Sequence, residues 1–224
     1  MKNLFCFVIS LLCVMLTQAQ GLHYGFTGGL TASTIIEKSD INSKIEKTLK
    51  YGYQAGVCAE FDLLNVVYVG TAISFVSKGD KFKDQFAVSK ANFGCFEVPV
   101  YFGYKIPLGN FYVSANIGPY SSIAIVGSRS FKADADPENE PPFEWNFEET
   151  GHEAYIDNNT EFFGDDWNSF KRFDSGISAG LKLGYQQYQL SATYSRGFVD
   201  IRPEETIKSN NSVLNISLVY FIKY

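Results

Sequence analysis

One group of side chains in this sequence is of a type that could bind a metal ion. It is an alternating run of acids, whose members are Asp134, Asp136, Glu138 and Glu140. Carboxylate oxygens are ligands that Ca²⁺ and Mg²⁺ prefer, but the run lacks the spacing and the glycine of an EF-hand loop. We therefore interpret it as a solvated acidic loop and keep metal binding as a weak alternative.

Histidine is the residue on which a catalytic site would most depend, and the chain has two, His23 and His152. Barrel enzymes that modify membrane lipids combine a histidine with a serine and an acid or amide. No fixed spacing around either histidine supports such a triad. The sequence thus predicts no catalytic residue, no enzyme activity and no cofactor, and a lipid-modifying enzyme that uses His152 is the minor alternative.

Eight charged residues lie at alternate positions of the predicted strands, among residues that are otherwise small or polar. They are Glu60, Asp62, Glu97, Lys105, Arg172, Asp174, Lys182 and Lys223. Because acids and bases are equal in number, these residues can pair with one another, as charges removed from water must. If they share an interior, they predict a salt-bridged network that plugs it rather than an open channel.

Two cysteines, Cys58 and Cys95, fall on the same alternating face as these charges. They lie on predicted strands that are separated by one other strand, which places them about 10 Å apart at about 4.8 Å per strand. A disulfide needs Cα atoms within about 7 Å of each other. Two free thiols are therefore predicted.

The elements that must position these residues have a period of two, which is the period of β-strands. In one segment Phe96, Val98 and Val100 alternate with Cys95 and Glu97. The same alternation predicts eight strands, at 22–36, 49–63, 66–78, 91–106, 111–126, 170–184, 188–199 and 211–224. They are longer than the roughly 9–11 residues that cross a bilayer.

Tight turns alternate with long connections along the chain. The turns are at 64–65, 107–110 and 185–187, and the long connections are 37–48, 79–90, 127–169 and 200–210. Strict alternation with an even strand number is typical of barrels with short periplasmic turns and long external loops. The sequence therefore predicts an all-β fold, an eight-stranded antiparallel up-and-down transmembrane β-barrel.

Alternation alone does not say which face lies inside. The smaller face is rich in Gly and Ser, which suits the narrow interior of an eight-stranded barrel. The larger face carries aromatic residues near strand ends, as membrane girdles do. The competing interpretation is a soluble secreted lipocalin-like barrel, which would bind a ligand in a dry apolar cavity.

The start of the chain and its composition predict where the barrel is located. Residues 1–19 have a positive start, an apolar run and small residues before Ala19, which predicts a cleaved signal peptide and a barrel at 20–224. The net charge of −5 and the lack of a basic stripe argue against a nucleic-acid partner. We expect a monomeric barrel in the outer membrane, surrounded by its lipid.

The predicted connection at 127–169 is the most distinctive segment. It combines many acids with Trp145, Trp167, Phe162 and Phe163. A disordered loop would usually lack so many aromatic residues. We therefore expect a partly ordered external cap whose aromatic side chains pack over the barrel mouth.

Six short motifs occur in order along the chain: YGFTGGL at 24–30, GYQAGV at 52–57, FVSKG at 75–79, FEVPV at 96–100, NIGPY at 116–120 and ATYSRGF at 192–198. Together they resemble the PorT-like outer-membrane β-barrel family common in Bacteroidetes. The resemblance implies an eight-stranded barrel in the outer membrane, and no single activity. The chain departs from the family pattern at Ala72, where a Glu is common, and at Thr193, where an Arg is common.

The function that follows is that of a non-enzymatic integral barrel. We expect it to present external loops for envelope structure, adhesion or partner binding. Some members of the PorT-like family are tied to protein secretion. The alternative is therefore an accessory component of a secretion machinery, with an envelope or secretion protein as its partner.

Overall fold

The fold is built almost entirely from β-strands. A computed structural model describes residues 21–38, 46–83, 87–133, 154–156, 162–164, 169–202 and 208–223. These residues contain the strands β1 (Leu22–Lys38), β2 (Glu46–Thr48), β3 (Lys50–Asp62), β4 (Val67–Lys83), β5 (Ala87–Leu108), β6 (Phe111–Ala133), β7 (Ala154–Ile156), β8 (Phe173–Tyr185), β9 (Tyr188–Gly197) and β10 (Lys208–Lys223). None of the described residues form a helix long and apolar enough to cross a membrane.

Eight of the strands form a closed ring, and the short β2 and β7 lie outside it. Each ring strand pairs antiparallel with the next along the chain. Strand β1 closes the ring by pairing with β10 as well as with β3. Closure satisfies the backbone N–H and C=O groups that an open sheet would leave unpaired at its edges. The predicted eight-stranded antiparallel barrel is confirmed.

The two ends of the barrel differ in how the strands are connected. Residues 63–66, 109–110 and 186–187 join consecutive strands at one end, where the sequence predicted tight turns. At one of these turns Gly109 has a φ of 67°, a left-handed conformation that glycine adopts at little cost. This end is named the turn end, and the opposite end is named the loop end. The connections at the loop end are longer, except that only residues 84–86 separate β4 from β5.

The barrel wall is much taller on one side than on the other. Strands β5 and β6 have 22 and 23 residues, whereas β9 has 10. The predicted loop at 79–90 is wrong for most of that segment, because β4 and β5 stay paired from Gly79–Asn92 to Lys83–Val88. Strand β6 likewise extends to Ala133, inside the predicted loop at 127–169. The alternation of apolar residues, from which the strands were predicted, ends where a strand leaves the membrane. The backbone hydrogen bonds between the strands continue beyond that point.

Large apolar side chains cover the outside of the barrel. Tyr51 is 78% exposed and Leu30 is 72% exposed, whereas inward residues such as Thr31 and Ser114 are buried. This polarity is the reverse of that of a barrel in water, so the lipocalin-like interpretation is wrong. Aromatic pairs lie at the turn end, as in a membrane girdle; they are Phe111–Tyr185 and Tyr188–Tyr220.

Candidate functional site

The barrel interior holds most of the charged candidates, and those nearest the turn end surround Glu60. The Glu60 residue, on β3, is 2% exposed. Lys182 on β8 donates a hydrogen bond to its Oε1 atom, and the Lys105 Nζ atom lies 3.6 Å from its Oε2 atom. Lys105 also donates to Asp62 Oδ1 at 2.7 Å, and His23 Nε2 lies 2.9 Å from Asp62 Oδ2. These five residues are named the turn-end cluster.

The pair of Glu60 and Lys182 crosses the full diameter of the barrel. Its strands, β3 and β8, are four strands apart in both directions around the ring. An eight-stranded barrel is just wide enough for side chains to fill, so an ion pair can reach from one wall to the opposite wall.

Aromatic rings pack beside the turn-end cluster. The Lys182 Nζ atom lies 4.2 Å from the ring centroid of Tyr101 and 5.1 Å from that of Tyr68, within the range of cation–π attraction. Each ring lies against a glycine of the neighbouring strand. A Cβ atom at Gly70 would come within 2.3 Å of the Tyr101 ring, and one at Gly103 within 2.3 Å of the Tyr68 ring. The missing side chains therefore leave the space that the tyrosines fill.

A second ion-pair cluster lies nearer the loop end. Lys78 on β4 is 1% exposed, and its Nζ atom lies 3.0 Å from Glu97 Oε2 and 3.4 Å from Asp174 Oδ2. The Tyr120 hydroxyl and the Asn211 amide also donate to Asp174 Oδ2, at 3.1 and 2.8 Å. These five residues are named the loop-end cluster. One ammonium group here holds two carboxylates, whereas Glu60 in the other cluster holds two ammonium groups.

A small chamber lies between the two clusters. Its volume is about 90 Å³, and its lining includes Glu60 and Lys182 from one cluster and Glu97 from the other. The Asn116 amide nitrogen and the Asn215 amide oxygen are buried without a hydrogen-bond partner among the described residues, and both residues line the chamber. The chamber is large enough to hold water between these polar groups.

An apolar cluster closes the interior beyond the loop-end cluster. Phe162, Phe163 and Phe170, which lie between β7 and β8, pack on Phe93 of β5. The centroid of the Phe93 ring lies 5.2, 6.4 and 4.9 Å from theirs, respectively. Gly127 of β6 makes room for them, since a Cβ atom there would lie 2.1 Å from the Phe162 ring. The four phenylalanines are named the aromatic plug, and two of them belong to the aromatic set that the sequence predicted as a cap.

Two of the eight predicted interior charges are exposed rather than buried. Arg172 precedes the first residue of β8 and is exposed, with its guanidinium carbon 4.2 Å from the Phe163 ring centroid. It donates a hydrogen bond to the carbonyl oxygen of Ala124. Lys223 is exposed at the turn end of β10. Alternation assigns a face only within the barrel wall, so it misplaces residues at or beyond the strand ends.

Lys78 is a charged residue of the loop-end cluster that sequence reasoning missed. The predicted strand at 66–78 ended at this residue, so its face was not considered. Lys78 stands at the alternate position after Ser74 and Val76, which both face inward and are buried. Continuing the alternation by one step would have placed the Lys78 ammonium inside.

The remaining candidates divide between the described and the undescribed residues. Cys58 and Cys95 are buried free thiols, as predicted. The acidic run, His152 and both tryptophans lie outside the described residues; the run is Asp134, Asp136, Glu138 and Glu140. Metal binding by that run stays a prediction. In the described part of the chain, no group of three or more His, Cys, Asp or Glu side chains is placed to hold a metal ion.

A closed ring with an apolar exterior and an ion-paired interior defines a transmembrane β-barrel. The chain belongs to the outer membrane protein beta-barrel domain family, whose model matches residues 18–202. The protein is therefore located in the outer membrane. In such barrels the short turns face the periplasm and the long connections face outward.

Several solved outer-membrane barrels are similar to this chain. Ail, the attachment invasion locus protein of Yersinia pestis, is 12% identical with a TM-score of 0.43, over 90% of this chain and 99% of Ail. Neisserial surface protein A is 12% identical with a TM-score of 0.39, over 92% of this chain and 100% of that protein. The search of curated protein sequences finds no match. Since the identities and scores are low, membership rests on the family model.

Proposed function

We propose that this protein is a closed, non-enzymatic outer-membrane barrel that acts through the surface it presents outside the cell. The observation that carries the proposal is the pair of ion-paired clusters across the interior. Separating a buried ion pair leaves uncompensated charge in a low-dielectric space, which opposes spontaneous opening. Envelope structure, adhesion or partner binding are the roles that suit such a barrel.

The outward surface that supports this role is the tall wall. Strand β5, with 22 residues, has about twice the roughly 9–11 residues needed to cross a bilayer. Beyond the membrane, β2 pairs with β4 and β7 pairs with β6, so the projecting part is a sheet of five strands. A sheet continuous with the barrel is a rigid support for partner contacts.

The closed interior is tested by planar-bilayer recording of the refolded full-length protein. The wild type should show no stable conductance, because both clusters and the aromatic plug fill the cross-section. Lys182→Ala should give intermittent small openings, since it removes the pair that spans the diameter. The matched control Lys90→Gln, which removes a lysine charge from an exposed site on the tall wall, should stay silent. A large stable conductance of the wild type would overturn the proposal.

An accessory role in protein secretion is the second candidate, and it rests on the PorT-like resemblance. One observation favours it: two of the six motifs, FEVPV and NIGPY, supply Glu97 and Tyr120, which both belong to the loop-end cluster. The two departures from the motif pattern, Ala72 and Thr193, both line the chamber. Deleting the gene should then lower the amount of secreted protein, and unchanged secretion would refute this role.

A further inference from the structure

An arginine stands on the lipid-facing surface of the low wall. Arg196 on β9 lies between Ser195 and Gly197, which are buried and face the interior, so alternation places its side chain outside. Arg196 is half-buried. Within the described residues its guanidinium has no ion pair or side-chain hydrogen bond. A charged group on this surface must reach water or a lipid headgroup.

The position of Arg196 along β9 matches the outer boundary of the membrane. Tyr188, in the aromatic girdle at the turn end, begins the same strand. The eight-residue step between them, at about 3.3 Å per residue and a tilt near 40°, rises about 20 Å across the membrane. The apolar band of such barrels is about 25 Å tall. A long side chain near the edge of that band extends toward the headgroups.

Neighbouring outward residues change character at the same level. On β10, Ser212 pairs with Arg196, and on β1 Thr34 pairs with Ser212. The Tyr194 hydroxyl lies 3.0 Å from the Ser212 Oγ atom. Four residues beyond Ser212, about 13 Å further along the strand, Lys208 is exposed. On the β10 side of Arg196 the surface therefore carries hydrogen-bonding and basic side chains. Phe198, two residues beyond Arg196, is exposed, and aromatic rings are common at the membrane interface.

We propose that Arg196, with the Tyr194 hydroxyl that the buried Ser212 positions beside it, binds the phosphate of an outer-leaflet lipid headgroup. A guanidinium can donate two parallel hydrogen bonds to a phosphate, which an ammonium cannot. Lys208 stands further out, where it attracts a second anionic group of the headgroup layer. This site lies on the exterior and does not depend on the closed interior.

The test measures which lipids stay bound to the folded, full-length barrel in native mass spectrometry. The protein is first reconstituted in phosphatidylcholine vesicles that contain bisphosphorylated lipid A. Arg196→Gln should retain about fivefold less lipid A than the wild type, because one basic residue contributes about 1 kcal/mol toward an anionic lipid. The amount of lipid A that Arg196→Lys retains should lie between those of the wild type and Arg196→Gln. The control Lys90→Gln removes an equal charge from the tall wall and should match the wild type.

Two further arms test whether the phosphate of the lipid is the group that Arg196 binds. Lipid A treated to remove its phosphates should be retained no better by the wild type than by Arg196→Gln. Inorganic phosphate added to the vesicles should not displace lipid A, because the site lies at the membrane surface and holds the whole lipid. Equal retention by wild type and Arg196→Gln, equal retention of both lipid A forms, or displacement by inorganic phosphate would each overturn the proposal.

Discussion

The two charge clusters inside the barrel both pair charges that are removed from water, but with opposite arrangements. In the turn-end cluster a carboxylate, Glu60, lies between the ammonium groups of Lys182 and Lys105. In the loop-end cluster an ammonium group, Lys78, lies between two carboxylates. Glu60 joins strands that are not neighbours in the ring, whereas Lys78 joins β4 to its neighbour β5 and to the more distant β8.

The clusters differ in how many partners remain when the central residue is lost. Without Glu60, Lys105 keeps its ion pair with Asp62, at 2.7 Å. Without Lys78, Glu97 and Asp174 keep no cation within the described residues of the cluster. The comparison teaches that the effect of a substitution follows the number of remaining partners rather than the sign of the lost charge.

The largest effect should come from Lys78→Met. This substitution leaves the buried Asp174 and the half-buried Glu97 without their cation, which should lower the free energy of unfolding by about 3–5 kcal/mol. Urea unfolding in lipid vesicles, followed by intrinsic fluorescence, measures the change. Lys78→Arg keeps the charge and should lower the free energy of unfolding by less. If Lys78→Met were milder than Glu60→Gln, the comparison between the clusters would fail.

Phe170→Ala should open the loop end without touching an ion pair. Removing a buried phenylalanine side chain from the aromatic plug should lower the free energy of unfolding by about 3 kcal/mol. Cys95 is buried in the same apolar cluster, so its maleimide labelling should become faster. Cys58, which lies in a different buried cluster, provides the internal control and should stay slow. Unchanged labelling of Cys95 would show that the plug does not seal this end.

Glu60→Gln should have an intermediate effect. The amide can still bond to Tyr101, and Lys105 keeps Asp62, so Lys182 alone loses its charged partner. The expected loss is about 1–3 kcal/mol in the same urea experiment. Glu60→Met, which also removes the hydrogen bonds, should lose more than Glu60→Gln. Equal losses would mean that the charge, rather than the hydrogen bonding, carries the whole interaction.

The smallest effect should come from Arg172→Gln. The side chain is exposed at the mouth and contacts Phe163 and a backbone carbonyl rather than an interior carboxylate. The unfolding midpoint should therefore stay within error of the wild type. A loss as large as that of Glu60→Gln would place Arg172 back among the interior charges, where the sequence had predicted it.

The sequence by itself determined the strand number, the tight turns at one end of the barrel and the inward face of most charged residues. A period of two assigns Glu60 and Lys182 to the same face of their strands, and a narrow barrel requires that such charges pair. Alternation cannot determine the position of a residue along the barrel axis, because it does not show which residues of distant strands lie at the same level.

Only the closed tertiary structure decided the partners. The stagger of the ring places Glu60 opposite Lys182, 122 residues further along the chain. It also places Phe170, predicted as the first residue of a strand, in the aromatic plug. Lys78 depends on both. That its side chain points inward follows from the alternation in the sequence, whereas its position between Glu97 and Asp174 follows from the register of three strands.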